Sequence, residues 1–136
     1  MRHEDEFFRE NFTTLAIARA CVGDAPLFFV AMGYVGDMTS ADLFLSVVPT
    51  PQDYVVSALP MVAGGALDVS KANPLNLRTW DNLFEGECNA CETHYRITEY
   101  QIRDGKPVRT RRYRTRHLYS SGNYIFDDRS RIRFMP

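Results

Sequence analysis

Apolar and polar positions divide the chain into a helix-like start and a strand-rich end. Over residues 4 to 22, Phe8, Phe12, Leu15 and Cys21 or Val22 form an apolar stripe. Glu4, Asp5 and Glu6 suit the positive end of a helix, and Gly23 stops it, so this segment is expected to be helical. Ala25 to Val35, with Leu27, Phe28, Phe29, Val30 and Met32 between Pro26 and Gly36, reads as a buried strand. Residues 42 to 48 read as a further strand, although Ser40 before Ala41 and Asp42 could also cap a helix. Thr50-Pro51-Gln52-Asp53 carries a capping hydroxyl, a proline and an acid in helix-start order, leaving Tyr54 to Leu59 open between helix and strand. Gly64-Gly65 marks a turn. From Ser70 to Gly86 the polar, proline-containing stretch reads as a long loop pinned by Trp80, Leu83 and Phe84.

The last third carries the clearest pattern. Asp104-Gly105 sits between the β-rich runs Thr93 to Arg103 and Lys106 to Tyr119, and both centres of a two-residue hairpin turn need positive φ. A turn at Ser120 to Asn123 and strands at Tyr124 to Phe126 and Arg131 to Phe134 complete an antiparallel meander. With Arg103 paired to Lys106, a regular ladder sets Tyr100 against Arg109, Thr98 against Arg111 and Arg96 against Tyr113 on one side. The other side takes Glu99 with Thr110, Ile97 with Arg112 and Tyr95 with Arg114, and a bulge would change both sets. The expected architecture is α+β: one domain over residues 1 to 136, with an N-terminal helix packed on a mostly antiparallel β-sheet that ends in the meander. At 136 residues a single domain buries roughly two-thirds of the surface of its unfolded form.

Charge sharpens the picture. Residues 1 to 92 hold 5 basic and 13 acidic side chains, a net of −8, whereas residues 93 to 136 hold 11 basic and 4 acidic, a net of +7. Arginine outnumbers lysine fourteen to two, and five of those arginines fall between residues 109 and 119. Guanidinium forks make paired contacts with carboxylates and phosphates and stack on rings, so the bias points to specific pairing. Arg96, Tyr100, Arg109, Arg111, Arg112, Tyr113, Arg114, Arg116 and Tyr119 are the candidate partner-binding residues. Three readings compete for them. The arginines could pair with the acidic part of the same chain as a solvated, protected sheet edge. They could dock an acidic protein or nucleoprotein assembly, since arginine and tyrosine anchor interfaces. They could also follow a nucleic-acid backbone, with Tyr95, Tyr100, Tyr113 or Tyr119 stacking on bases, although no nucleic-acid-binding motif accompanies them.

Other chemistry is thinner. Cys88-Asn-Ala-Cys91-Glu-Thr-His94 could hold zinc, with His117 or Cys21 completing the shell, but a second ligand pair at motif spacing is missing. No cofactor is the favoured expectation. The odd number of cysteines, and the closeness of Cys88 to Cys91, argue for thiols in a reducing compartment. An acidic N-terminus without a following apolar run points to the cytoplasm. Ala58 to Leu67, the longest nearly apolar run, falls short of the roughly 18 residues of a membrane span. His3, His94 and His117 are scattered, and no nucleophile elbow or phosphate loop gives an enzyme a starting point. The favoured function is therefore non-enzymatic binding, as an inhibitor, adaptor or accessory subunit. A small-molecule pocket or weak enzyme, lined by Tyr34, Trp80, His117 and Glu99, is the alternative.

Overall fold

The computed structural model describes residues 12–34, 41–86, 88, 91–119 and 131–136, with the side chains of Phe12 and Tyr34 left aside. It overturns the α+β expectation: among the described residues there is no helix, and the architecture is all-β. The first sheet contains β1 (Phe12–Val22), β2 (Ala25–Tyr34), β3 (Ala41–Pro49) and β4 (Tyr54–Ala58) in that order, all antiparallel, with β5 (Val62–Ala63) also pairing β3. The second runs in the order β10-β6-β7-β8-β9, from β6 (Ala66–Ser70), β7 (Asn76–Asn82), β8 (Tyr95–Arg103), β9 (Lys106–Arg114) and β10 (Ile132–Met135). Only β10 is parallel to its neighbour, β6. Residues 4 to 11 of the expected helix, the Ser120 turn and the Tyr124 strand lie outside the described residues.

The N-terminal misreading has a packing cause. Past an irregularity between Thr14 and Ala16, residues 16 to 22 obey a period of two, with Ala18 opposite Phe29 and Ala20 opposite Leu27, so small residues make room for large neighbours on the inner face. Ile17 points outward, 67% exposed, and the resulting mixture of alanine and bulky apolar residues mimics a helical stripe. Gly23, at φ 60°, opens a two-residue hairpin turn into β2 instead of ending a helix. The capping signal at Thr50 is also used differently. Its hydroxyl donates to the Asp53 carbonyl at 2.9 Å and accepts the Asp53 N–H at 3.0 Å, closing the connection between strands β3 and β4. The expected loop from Ser70 to Gly86 contains β7, whose inward Leu77 and Thr79 alternate with outward Arg78 and Trp80.

The core lies between the sheets. Leu27, Phe29, Ala31 and Phe44 from the first pack with Leu67, Val69, Leu77, Tyr100, Ile102 and Ile132 from the second. The chain crosses between them at residues 63–65, held from both sides: Asp81 Oδ1 accepts the Ala63 N–H at 2.8 Å and Asp42 Oδ2 accepts the Gly65 N–H at 3.2 Å. Only glycine fits at position 65, where a Cβ would stand 1.6 Å from the Trp80 carbonyl oxygen. That close approach lets β6 start directly beside β7 and fixes the register of everything the second sheet displays.

Candidate functional site

The β8–β9 hairpin turns at Asp104 and Gly105, with φ of 52° and 80°, as the Asp-Gly pair requires. From there the ladder is regular through Arg103–Lys106, Ile102–Pro107, Gln101–Val108 and Tyr100–Arg109. A β-bulge then intervenes between Glu99 and Tyr100, and beyond it Glu99 meets Arg111, Thr98 meets Arg112, Ile97 meets Tyr113 and Arg96 meets Arg114. Thr110 is the extra residue, its hydroxyl donating to the Glu99 carbonyl at 3.3 Å. The regular register expected from the turn thus holds for four pairs and slips by one for the rest. A slip of one residue exchanges faces. Arg112 and Arg114 consequently join Arg109 on the Tyr100–Thr98–Arg96 face, while Arg111 and Tyr113 go to the opposite one.

That opposite, outer face is occupied by internal pairing. Register places Arg133, Asp68, Arg78, Glu99 and Arg111 in one row across all five strands, with charges alternating in sign. Asp68, only 2% exposed, accepts from Arg133 Nε at 2.8 Å, Arg78 Nε at 2.8 Å and the Trp80 indole Nε1 at 2.8 Å. Burial works against the charge on Arg78, but the Asp68 hydrogen bond and carboxylate, with the Tyr113 phenol, raise its pKa above the ordinary guanidinium value. Arg111 Nη1 lies 3.9 Å from Glu99 Oε1 and its guanidinium carbon 4.5 Å from the Tyr113 ring centre. Beside this row Trp80, Tyr95 and Tyr119 meet edge to face at centroid distances of 5.6 to 6.3 Å, with Tyr113 packed against them. Tyr113 and Tyr119 therefore belong to a small aromatic cluster and do not share a face with Arg109 and Arg112. Sequence reading missed the row, yet one signal was present: an acid between Leu67 and Val69 in an apolar strand needs partners. A groove of about 550 Å³ opens on this face, lined by Asp68, Asn76, Arg78, Glu99, Gln101 and Thr110 among others. Of the four residues expected to line a pocket, only Glu99 does so; Trp80 sits in the aromatic cluster, His117 is exposed, and the Tyr34 side chain is outside the described set.

The other face of the hairpin differs. Arg109, Arg112 and Arg114 are all exposed. Arg114 is committed to Glu85 and to the His94 ring, and Arg96 Nη1 stands 3.9 Å from Asp81. No carboxylate among the described residues comes within 4.0 Å of Arg109 or Arg112, nor of Arg116 just past the strand end. Tyr100 anchors this face from the core. Burial lifts its phenol above the ordinary 10.0, opposed by the charges of Arg112 and Arg109 and by hydrogen bonds with Thr79 and Thr98. Two guanidiniums without a carboxylate partner among the described residues thus flank a fixed hydroxyl cluster.

The loop before β8 closes one end of the face. Glu85 Oε1 accepts from the His94 N–H at 3.1 Å and lies 2.8 Å from His94 Nδ1, which is also 2.8 Å from Arg114 Nη2. The ring nitrogen serves one neighbour at a time: protonated it donates to Glu85, unprotonated it accepts from Arg114. Desolvation of the Glu85 carboxyl acts to raise its pKa, but the His94 hydrogen bonds and the Arg114 charge outweigh it and hold the group below its ordinary 4.5. Ionised Glu85 therefore supports the folded loop fully above pH 4.5, and that support is lost as pH falls through the lowered value. A titration of the His94 amide resonance should show this step, with the Glu85→Gln variant flat over the same range.

At the loop tip Cys88 and Cys91 form a disulfide, correcting the expectation that their spacing is too tight for a bridge. A turn with the Cys91 N–H donating to the Cys88 carbonyl brings their Cα atoms to 5.1 Å, inside the usual range for cystine. The two sulfurs are bonded to each other and are not thiolate ligands here. His94 is engaged with Glu85, and no group of three metal-ligating side chains occurs among the described residues. No described helix is long and apolar enough to cross a membrane. Comparison with protein-family models, with curated proteins and with solved structures finds no match to this chain.

Proposed function

We propose that the chain is a non-enzymatic binding protein, an inhibitor, adaptor or accessory subunit, that holds an acidic protein surface against the Arg109–Arg112 face of β9. One observation carries the reading. Arg78, Arg133, Arg96, Arg111 and Arg114 each have a carboxylate of the same chain within 4.0 Å, whereas Arg109 and Arg112 lie exposed on one face without a described one. Arginine on a rigid strand beside buried hydroxyls loses less entropy on binding than a cation on a mobile loop, and it fits a carboxylate with two parallel bonds.

The test is affinity capture from the native host, comparing wild type with Arg109→Glu/Arg112→Glu and with Arg111→Glu, whose side chain lies on the opposite face. Wild type and Arg111→Glu are expected to retain the same polypeptide after nuclease treatment, and the double variant to lose it. Retention by the double variant contradicts the proposed face. Loss from wild type on nuclease treatment would favour the nucleic-acid reading.

A further inference from the structure

The second sheet ends at β9, and none of the described strands pairs with its far side. Which backbone groups stand on that free edge follows from the register. The Thr115 N–H donates to the Tyr95 carbonyl at 2.9 Å, marking Tyr95 and Thr115 as a hydrogen-bonded position. Bonded and non-bonded pairs alternate in an antiparallel ladder, so Ile97–Tyr113 is bonded, and Arg96–Arg114 and Thr98–Arg112 are not. Counting from the turn gives the same alternation: Arg103–Lys106 closes it, Gln101–Val108 is bonded and Tyr100–Arg109 is not. The N–H and C=O groups of Arg109, Arg112 and Arg114 therefore point away from β8. These are the same three residues whose side chains share the basic face. Pro107, the remaining outward position, has no N–H to offer, and the turn at Gly105 sits against Val55 of β4, so the open stretch begins at Arg109.

We infer that this edge takes an extended acidic segment of a partner protein as an additional antiparallel strand. The inference rests on the reading of the Arg109–Arg112 face as a binding surface and adds the form the partner takes. Residues directly opposite each other across a strand pair share a face, so the incoming segment places every second side chain beside the arginines. A carboxylate at one such position meets Arg112 and the bulge shifts another toward Arg109, while Arg114, already paired with Glu85, adds its backbone groups. Side chains between them fall on the side of Arg111 and Tyr113. A second copy of this edge would set guanidinium against guanidinium, so the charges that reject self-pairing select an acidic strand. Main-chain bonds supply affinity, and alternating side chains supply choice.

A ten-residue peptide alternating glutamate and threonine is the probe, with two derivatives: one N-methylated at glutamates, whose amides face β9 when carboxylates face the arginines, and one N-methylated at threonines. The parent and the threonine-methylated peptide are expected to bind alike and to slow amide hydrogen exchange at Arg112 and Arg114. Methylation at glutamate should weaken binding at least tenfold. Equal binding by both methylated peptides overturns strand addition and leaves the charged face standing. Absence of parent-peptide binding to wild type also overturns it, while the capture experiment judges the face separately.

Discussion

Asp68→Ala is expected to destabilise the fold by about 1.5–3 kcal/mol, since it removes a nearly buried acceptor of charge-assisted hydrogen bonds while the guanidiniums it serves are a quarter to a third exposed. The carboxylate is 2% exposed and gathers Arg78 and the Trp80 indole from one neighbouring strand, β7, and Arg133 from the other, β10. Alanine removes the one carboxylate that Arg78, Arg133 and the Trp80 indole share on this sheet face. In a domain of this size the loss corresponds to roughly 5–15 °C in midpoint. Asp68→Asn, which keeps one acceptor but no charge, should lose less. Replacing Asp68, Arg78 and Arg133 together with leucine and two methionines should recover much of the difference, because apolar side chains of similar volume often replace a buried ion-pair group at little cost. Urea unfolding followed by circular dichroism measures all three.

Arg109→Glu/Arg112→Glu is expected to weaken acidic-partner binding at least a hundredfold while leaving the unfolding midpoint nearly unchanged. Both side chains are exposed and have no described carboxylate partner, so their replacement breaks no ion pair among the described residues, and surface changes of this kind usually stay within about 0.5 kcal/mol each. The reversal turns two attractions into two repulsions at the centre of the contact, where like charges facing each other are strongly unfavourable. Arg111→Glu is the informative contrast: it makes a charge reversal of the same kind on the outer face, beside Glu99 and Tyr113. It should disturb local stability and spare binding. Raised salt should reduce wild-type affinity by screening exposed charges without abolishing it if main-chain bonds hold the partner.

Much of the all-β end was legible in the chain. The Asp104-Gly105 turn, the strand around Leu27 to Met32 and the strand near Ile132 follow from turn chemistry and apolar runs, and the first four pairs of the hairpin follow from the turn itself. The rest depended on neighbours. Alanines at 18 and 20 look helical until Phe29 and Leu27 stand opposite them. Residues 76 to 82 look like a loop because polar side chains fill the outward positions, and only Asp68 and Glu99 in adjacent strands make Arg78 a sensible strand residue. The arginine cluster was visible as composition but not as geometry. A single extra residue, Thr110, decides which guanidiniums share a face, and nothing local distinguishes that bulge from a straight ladder. The acidic half does neutralise some of these arginines, through Glu85 and Asp81, while Arg109 and Arg112 are left to the solvent.

The bulged register of β9 is tested most directly by cross-strand Hα–Hα contacts in a nuclear Overhauser spectrum, which arise at non-hydrogen-bonded pairs where Cα atoms approach to about 4.5 Å. Cross-peaks between Thr98 and Arg112 and between Arg96 and Arg114 are the expected result, placing Arg109, Arg112 and Arg114 together. Cross-peaks between Thr98 and Arg111 and between Arg96 and Tyr113 would mean a straight ladder, with Arg112 turned to the other face and the proposed binding surface dispersed.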